Sequence, residues 1–270
     1  MRRPSPGGRG QLSLGLHSRE GARMSSRWTE RELRGAIVKA CAALAQKNLV
    51  SATDGNVSAR LSPDRILVTP SGVSKGDISE LDILLCDMDG RKIRGRGDVS
   101  SEVQVHLAAY RARADIGAVV HAHPPVATAF TFAGLEALLR EPVVPEVIAQ
   151  IGPVPTVPYI TPGTRQLAAA VEPALRASDI VMLSQHGAVT VGPDPWAAYL
   201  RMEKLEYFAA VLKHAYDLAG NEGIRRLNAA QVEELKLSYG KGKRSTDSSN
   251  DEELVERIVK AVLEKLNAAH

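Results

Sequence analysis

Apolar residues recur at two different spacings along this chain, and the switching between them predicts its elements. Leu33, Ile37, Cys41 and Leu44 fall three or four positions apart, the period of a helix with one buried face. Thr29 and Glu32 open that stretch as a capping box, in which each side chain can serve a backbone N–H of the first turn. From there to about Asp98 the spacing shortens, and "NVSARL", "RILVTPSG" and "DILLCDMDG" read as short strands, the last closing on an Asp-Gly turn. Helical spacing returns from Ser101 to Arg113. A strand "GAVVHAH" follows, then a helix, the proline-punctuated "VPTVPYITPGT", another helix and the strand "DIVMLSQHG". Asp194 and Pro195 supply an N-cap and a first helical position for a long helix whose core stripe is Ala198, Met202, Leu205, Phe208 and Leu212. Helices and strands interleave without a repeat, as in one continuous α/β unit.

Composition narrows the class. A chain of 270 residues with 44% hydrophobic and 24% charged residues can bury a substantial core. The net charge of +3 is misleading until it is located: Arg2, Arg3, Arg9, Arg19 and Arg23 face only Glu20 before Met24, so the remainder is close to neutral. No polyanion-binding surface is implied, and nucleic acid is not an expected partner. No uninterrupted apolar stretch is long enough to cross a bilayer, so no membrane role is expected either. Residues 1–23, rich in Gly, Pro, Ser and Arg, read equally as a disordered extension or as sequence ahead of a true start at Met24. Cys41 and Cys86 show no disulfide spacing, which fits a reducing cytoplasm.

Three of the seven histidines carry the chemistry. In an extended strand side chains alternate, so His121 and His123 point the same way. The plain alternative is a strand end entering a turn at Pro124-Pro125. His186 stands in a similar setting at the end of "DIVMLSQ". Three histidines with an open fourth position form the catalytic zinc pattern, whereas a closed structural site more often recruits cysteine. In "SSEVQVHLAAY" either serine can cap a helix whose first turn holds Glu102, and the exposed N–H groups also suit a phosphate. His106 shares the Glu102 face and reads as structural. "TDGNVS" and "TPSG" are ordinary turns taken singly; with the histidines they become candidate oxyanion cradles.

In this order, "DGNVS", "TPSG", "SSE", "HAH", "PYITPGT" and "QHG", the chain resembles the class II aldolase and adducin superfamily, from about Thr29 to Gly240. The resemblance implies a three-layer α/β/α fold with a central mixed, mostly antiparallel sheet. It makes His121, His123 and His186 the ligands of one divalent metal per subunit, normally Zn2+. Glu102 matches the acid/base carboxylate, which also coordinates the metal when no substrate is present. Thr53, Asn56, Ser71, Gly72, Ser100 and Ser101 match the phosphate-binding positions. The family's active site lies between subunits of a four-fold homotetramer and is completed by a C-terminal tyrosine, which "KLSYG" places at Tyr239. One departure stands out: the family's best-known sugar-phosphate aldolases carry a further tyrosine where this chain reads "VVPEVIAQ", near Glu146.

The implied reaction is cleavage of a deoxy-ketose 1-phosphate, L-fuculose or L-rhamnulose 1-phosphate, to dihydroxyacetone phosphate and L-lactaldehyde. The metal would stabilise the enediolate, and Glu102 would move its proton with a pKa raised toward neutrality by burial. Alternatives within the fold are an L-ribulose-5-phosphate 4-epimerase and a methylthioribulose-phosphate dehydratase. An adducin-like interaction domain without catalysis is the alternative of another class, and it needs none of the three histidines. The expected organisation is one domain over 24–240, a polar linker over 241–250 and an amphipathic helix over 251–270, with Leu254, Ile258, Val262 and Leu266 on one face. That tail reads either as a helix docked on its own oligomer or, by preference, as an encapsulation peptide for a bacterial microcompartment, meeting a shell or cargo protein.

Overall fold

The computed structural model describes residues 28–240. The expectations for 1–23, for the 241–250 linker and for the 251–270 helix lie outside them. Helix α1 (Glu30–Gln46) begins as its sequence predicts: Thr29 Oγ1 accepts from the Glu32 N–H at 3.3 Å, and Glu32 accepts from the Thr29 N–H at 2.7 Å. A cap of this kind is worth about 1 kcal/mol. Leu33, Ile37, Cys41 and Leu44 are all buried on one face.

Five strands form the first half of the sheet: β1 (Asn56–Ser62), β2 (Arg65–Val68), β3 (Leu84–Asp87), β4 (Lys92–Arg94) and β5 (Ala118–Ala122). Helix α2 (Val103–Ala112) precedes β5. Helices α3 (Pro125–Phe132) and α4 (Pro145–Gln150), with a short 3-10 turn at Glu136–Arg140, lead to β6 (Thr156–Val157) and α5 (Arg165–Ala177). Strands β7 (Ile180–Leu183) and β8 (Gly187–Gly192) complete the sheet, followed by α6 (Pro195–Gly223) and α7 (Ala229–Gly240). The strand order is β4-β3-β2-β1-β5-β8-β7-β6. Every neighbouring pair is antiparallel except β6 with β7. The expected mixed, mostly antiparallel sheet is therefore present.

Strand alternation divides the core into two layers. Ala118, Val120 and Ala122 of β5 join a cluster with α1, α3 and α6, while Val119 joins a second cluster with α2 and α5. The α6 stripe Ala198, Met202, Leu205, Phe208 and Leu212 is buried as predicted, and the Asp194 carboxylate accepts from the Ala197 N–H at 2.8 Å. Leu167, Val171 and Leu175 of α5 close the opposite layer over β7 and β8. Among the described residues no helix is long and apolar enough to cross a membrane.

Candidate metal centre

Three side chains converge at the end of the central strands β5 and β8. His121 sits within β5, opposite Asn56 of β1 and Val189 of β8. Its Nδ1 lies 3.0 Å from the Ala188 carbonyl oxygen, which can only accept, so Nδ1 donates there and Nε2 is the ring atom left facing His123 and Glu102. His123 lies just past the strand, where its N–H donates to the Leu49 carbonyl at 2.9 Å. Its Nε2 comes within 3.2 Å of His121 Nε2. His186 was expected at a strand end, but β7 stops at Leu183 and His186 occupies the turn before β8. Gln185, at φ 56°, makes that turn; its N–H donates to Thr131 Oγ1 at 2.9 Å.

One ligand atom from each histidine lies within 4.8 Å of the others. Tetrahedral zinc with Zn–N bonds of about 2.05 Å would hold its nitrogens about 3.4 Å apart, so the His121–His123 separation already fits such an ion. Burial, helped by the neighbouring His121 and His186, pushes the His123 pKa down to about 4. The neutral imidazole favoured there is the form that ligates a metal.

Glu102 faces this cluster from the start of α2, on the side of the sheet toward which His121 points. It occupies the N-cap position of α2 and not the first turn, because the regular helix starts only at Val103. Its Oε1 lies 3.1 Å from His186 Nε2 and its Oε2 lies 3.5 Å from His121 Nε2. The carboxyl does not follow the expected upward pKa shift. Burial pushes it up, but the His121 and His186 imidazoles prevail and hold it well below the usual carboxylate range.

A cavity of about 240 Å³ adjoins the cluster, lined by Thr53, Gly55, Asn56, Ser71, Gly72, Ser100, Glu102 and His123. Larger cavities lie elsewhere, including one of about 540 Å³ between α2 and α5, but that one contains none of the three histidines. Gly55 and Gly72 take φ values of 73° and 71°. A side chain at Gly55 would also meet the His121 carbonyl oxygen at 2.9 Å, so this turn packs directly against the metal-side strand. The Ser71 N–H is committed to the Asp98 carbonyl at 2.8 Å, which leaves the Ser71 hydroxyl as its free donor toward the cavity.

Five of the six expected phosphate-binding residues line this cavity. Ser101 does not; it packs against Gly163, where an added Cβ would fall 2.6 Å from Ser101 Oγ. Asn56 contributes less side chain than expected, since its amide donates to Glu102 Oε2 at 3.0 Å and its carbonyl faces His106. Tyr239 is half-exposed on α7 and lines a separate cavity with Leu200, Arg201 and Lys236, so within one chain it does not meet Glu102.

Two residues at the site escaped the sequence reading. Lys75 is only 1% exposed, and its ammonium donates to the Thr53 and Val73 carbonyls at 2.9 and 2.6 Å, tying together the two turns of the cavity. Asp54 Oδ2 lies 3.7 Å from His123 Nδ1. A carboxylate behind a potential ligand histidine could have been sought in "TDGNVS", whereas a lysine inside "SGVSKGDISE" carries no sign of burial.

The chain matches the Class II Aldolase and Adducin N-terminal domain over residues 35–212. It is 36% identical over 170 residues to an L-fuculose phosphate aldolase of Methanocaldococcus jannaschii, covering 63% of this chain and 90% of that protein. It is 30% identical over 209 residues to a 3-oxo-tetronate 4-phosphate decarboxylase of Escherichia coli strain K12, covering 77% and 96%. The solved structure of YgbL from Klebsiella pneumoniae superposes with a TM-score of 0.69 at 31% identity, covering 77% of this chain and 99% of that one.

Proposed function

From the premise that this chain belongs to the class II aldolase and adducin family, we propose that it is a zinc-dependent aldolase. Its substrate would be L-fuculose 1-phosphate or L-rhamnulose 1-phosphate, cleaved to dihydroxyacetone phosphate and L-lactaldehyde. The observation that carries this reading is the placing of the Glu102 carboxylate against His121 and His186, beside a cavity walled by hydroxyls and glycine turns.

The chain's own residues divide the work. His121, His123 and His186 would hold the ion, with Glu102 as a fourth ligand before substrate arrives. When bound, zinc supplies a Lewis acid for the substrate carbonyl and adjacent hydroxyl, stabilising the charge left by carbon–carbon cleavage. The Ser71 and Ser100 hydroxyls, with the Thr53–Asn56 and Gly72 turns, bind the phosphate and so orient the reacting carbons toward the histidines. Ser101 takes the weakest part in this, facing Gly163 instead. Glu102, ionised in the resting site, would take up the proton that leaves the substrate hydroxyl and return it to the carbon that loses its bond. Tyr239 of a neighbouring subunit would hydrogen-bond the hydroxyl oxygen as it becomes the aldehyde oxygen, which requires the homotetramer. Exposed Phe132, Tyr159 and Tyr207 are consistent with such an assembly. The amphipathic sequence pattern of 251–270 supports a role for that segment as an encapsulation peptide.

A second reading, 3-oxo-tetronate 4-phosphate decarboxylation, is favoured by one specific feature. Glu146, near the position where the family's best-known aldolases carry a further tyrosine, is an exposed residue of α4. Loss of CO2 from a 3-oxo acid 4-phosphate leaves the same enediolate of dihydroxyacetone phosphate, yet releases no aldehyde whose oxygen needs proton management. Both reactions therefore use the same half of the site. The deciding experiment supplies both sugar phosphates and the 3-oxo acid phosphate to metal-stripped and zinc-restored protein, and measures dihydroxyacetone phosphate, aldehyde and CO2. Zinc-dependent aldehyde release establishes the aldolase; CO2 release establishes the decarboxylase; neither, at full metal occupancy, overturns both.

A further inference from the structure

Beneath the histidines the sheet and α2 share a polar seam in the middle of the second core layer. Alternation puts Asn56, Ser58 and Arg60 of β1 on the side facing α2, while Glu102, His106 and Tyr110, spaced four apart, lie along one side of the helix. The two rows interdigitate. Asn56 Nδ2 donates to Glu102 Oε2 at 3.0 Å, and Asn56 Oδ1 meets His106 Nε2. His106 Nδ1 lies 2.7 Å from Ser58 Oγ, which lies 2.8 Å from the Tyr110 hydroxyl. Arg60 donates to the Tyr110 carbonyl at 2.6 Å and covers the Tyr110 ring at 4.7 Å. Asn56, Ser58, His106 and Tyr110 are 4%, 0%, 0% and 3% exposed.

Only one arrangement of protons satisfies this row. An ionised carboxylate accepts and cannot donate, so Asn56 must turn its NH2 toward Glu102. That leaves Oδ1 toward His106, which must then carry its proton on Nε2. Bare Nδ1 takes the Ser58 O–H, and the Ser58 oxygen takes the Tyr110 O–H. Burial, with the neighbouring His121, pushes the His106 pKa down to about 3, in keeping with a neutral ring. Buried polar atoms without partners would be costly, so every link constrains the next.

We propose that His106 is a positioning residue: it locks the Asn56 amide in the one orientation that donates to Glu102, and through it holds the Glu102 carboxylate against His121 and His186. His106 reaches neither the carboxylate nor the histidine cluster itself. An amide between them hands on no proton in a simple exchange, so the device sets orientation and is not a proton wire. The inference rests on Glu102 working beside a metal held by the three histidines; it does not depend on which phosphate is cleaved.

The test compares His106→Gln, His106→Asn and His106→Leu in the full chain. Glutamine can place an N–H where the imidazole Nε2–H stood, asparagine mimics only the Nδ1 side, and leucine mimics neither. Two quantities are read: the Kd of stripped protein for zinc alone, by competition with a chromophoric chelator, and kcat and KM on whichever substrate the wild type turns over. The Asn and Leu variants are expected to lose about 10- to 100-fold in zinc affinity, kcat or both, with KM changed less than about twofold. The Gln variant is expected to recover most of each loss. In an Asn56→Ala background, His106→Leu should add almost nothing further, since its effect passes through Asn56. A folded Leu variant with wild-type zinc affinity and kcat overturns the proposal, as does a Gln variant no better than Asn. If Leu does not fold, the Gln–Asn comparison decides. If the wild type turns over none of the substrates, the substrate reading fails alone, and the zinc series still decides this inference.

Discussion

Gly187 lies so close to His123 that a Cβ built on it would fall 2.6 Å from His123 Cδ2 and 2.5 Å from the Ala122 carbonyl oxygen. The second contact is backbone and cannot rotate away, so Gly187→Ala must part β8 from β5 or displace the imidazole. The expected outcome is zinc affinity weakened at least about tenfold, together with a lower Tm. Gly76→Ala is the matched control, because its Cβ would meet Ala45 Cβ at an ordinary 3.4 Å. Equal zinc affinity in both variants would show that His123 is not held by this contact.

Metal binding should also be visible as stability. A ligand that binds only the folded chain, present at about 100 times its Kd, adds about 2.7 kcal/mol. For a domain of this size that is a rise in Tm of roughly 5–10 °C. Stripped protein titrated with zinc in a thermal melt should show that rise, and His186→Gln should lose most of it. An undiminished rise in the variant would place the ion away from His121, His123 and His186.

The elements of this fold were legible wherever one face was buried against one neighbour. The α1 and α6 stripes read directly from spacing, because burial on a single side leaves a period in the sequence, whereas β5, buried at every position, shows as a short apolar run. The polar seam was legible too, as "NVSAR" at period two and "EVQVHLAAY" at period four, but only the contact between them reveals its meaning. His186 escaped its expected strand because Gln185 adopts a left-handed turn that no residue type announces. β6, within a stretch legible only as proline-punctuated, covers just Thr156–Val157, bounded by prolines that cannot extend a ladder. Lys75, Ser101 and Tyr239 were hardest to place: whether a polar side chain is buried under a turn, packs on a glycine or lines a separate cavity is decided by tertiary packing.

Lys75 leads to a prediction about substrate binding. Its buried ammonium holds the Thr53 and Val73 carbonyls, and therefore the relative position of the two turns that would receive a phosphate. Lys75→Met leaves two carbonyls without their donor, which costs about 1–3 kcal/mol of stability, offset in part by no longer burying a charge. The histidines and Glu102 are untouched. KM for a phosphorylated substrate should accordingly rise about five- to tenfold while kcat changes less than about twofold, and inorganic phosphate should inhibit less well. A fall in kcat at unchanged KM would mean that Lys75 acts on the chemical step and not on phosphate placement.

His106 leads to a prediction about acid stability whose sign follows from its environment. Burial lowers its pKa from 6.5 in the free side chain to about 3 in the fold. Between those values the unfolded chain carries a proton on this ring that the folded chain does not. Stability therefore rises with pH through this window, and it is progressively lost as pH falls below about 6.5 toward about 3. One proton of difference corresponds to a slope of about 1.4 kcal/mol per pH unit. The measurement is denaturant unfolding of metal-stripped wild type and His106→Gln across that range. Glutamine cannot take up the proton, so the variant's curve should be flatter on the acid side, while Glu102 and His123 contribute to both proteins alike. Curves of identical slope would mean that the ring is protonated inside the fold, which would break the proton order that aims Asn56 at Glu102.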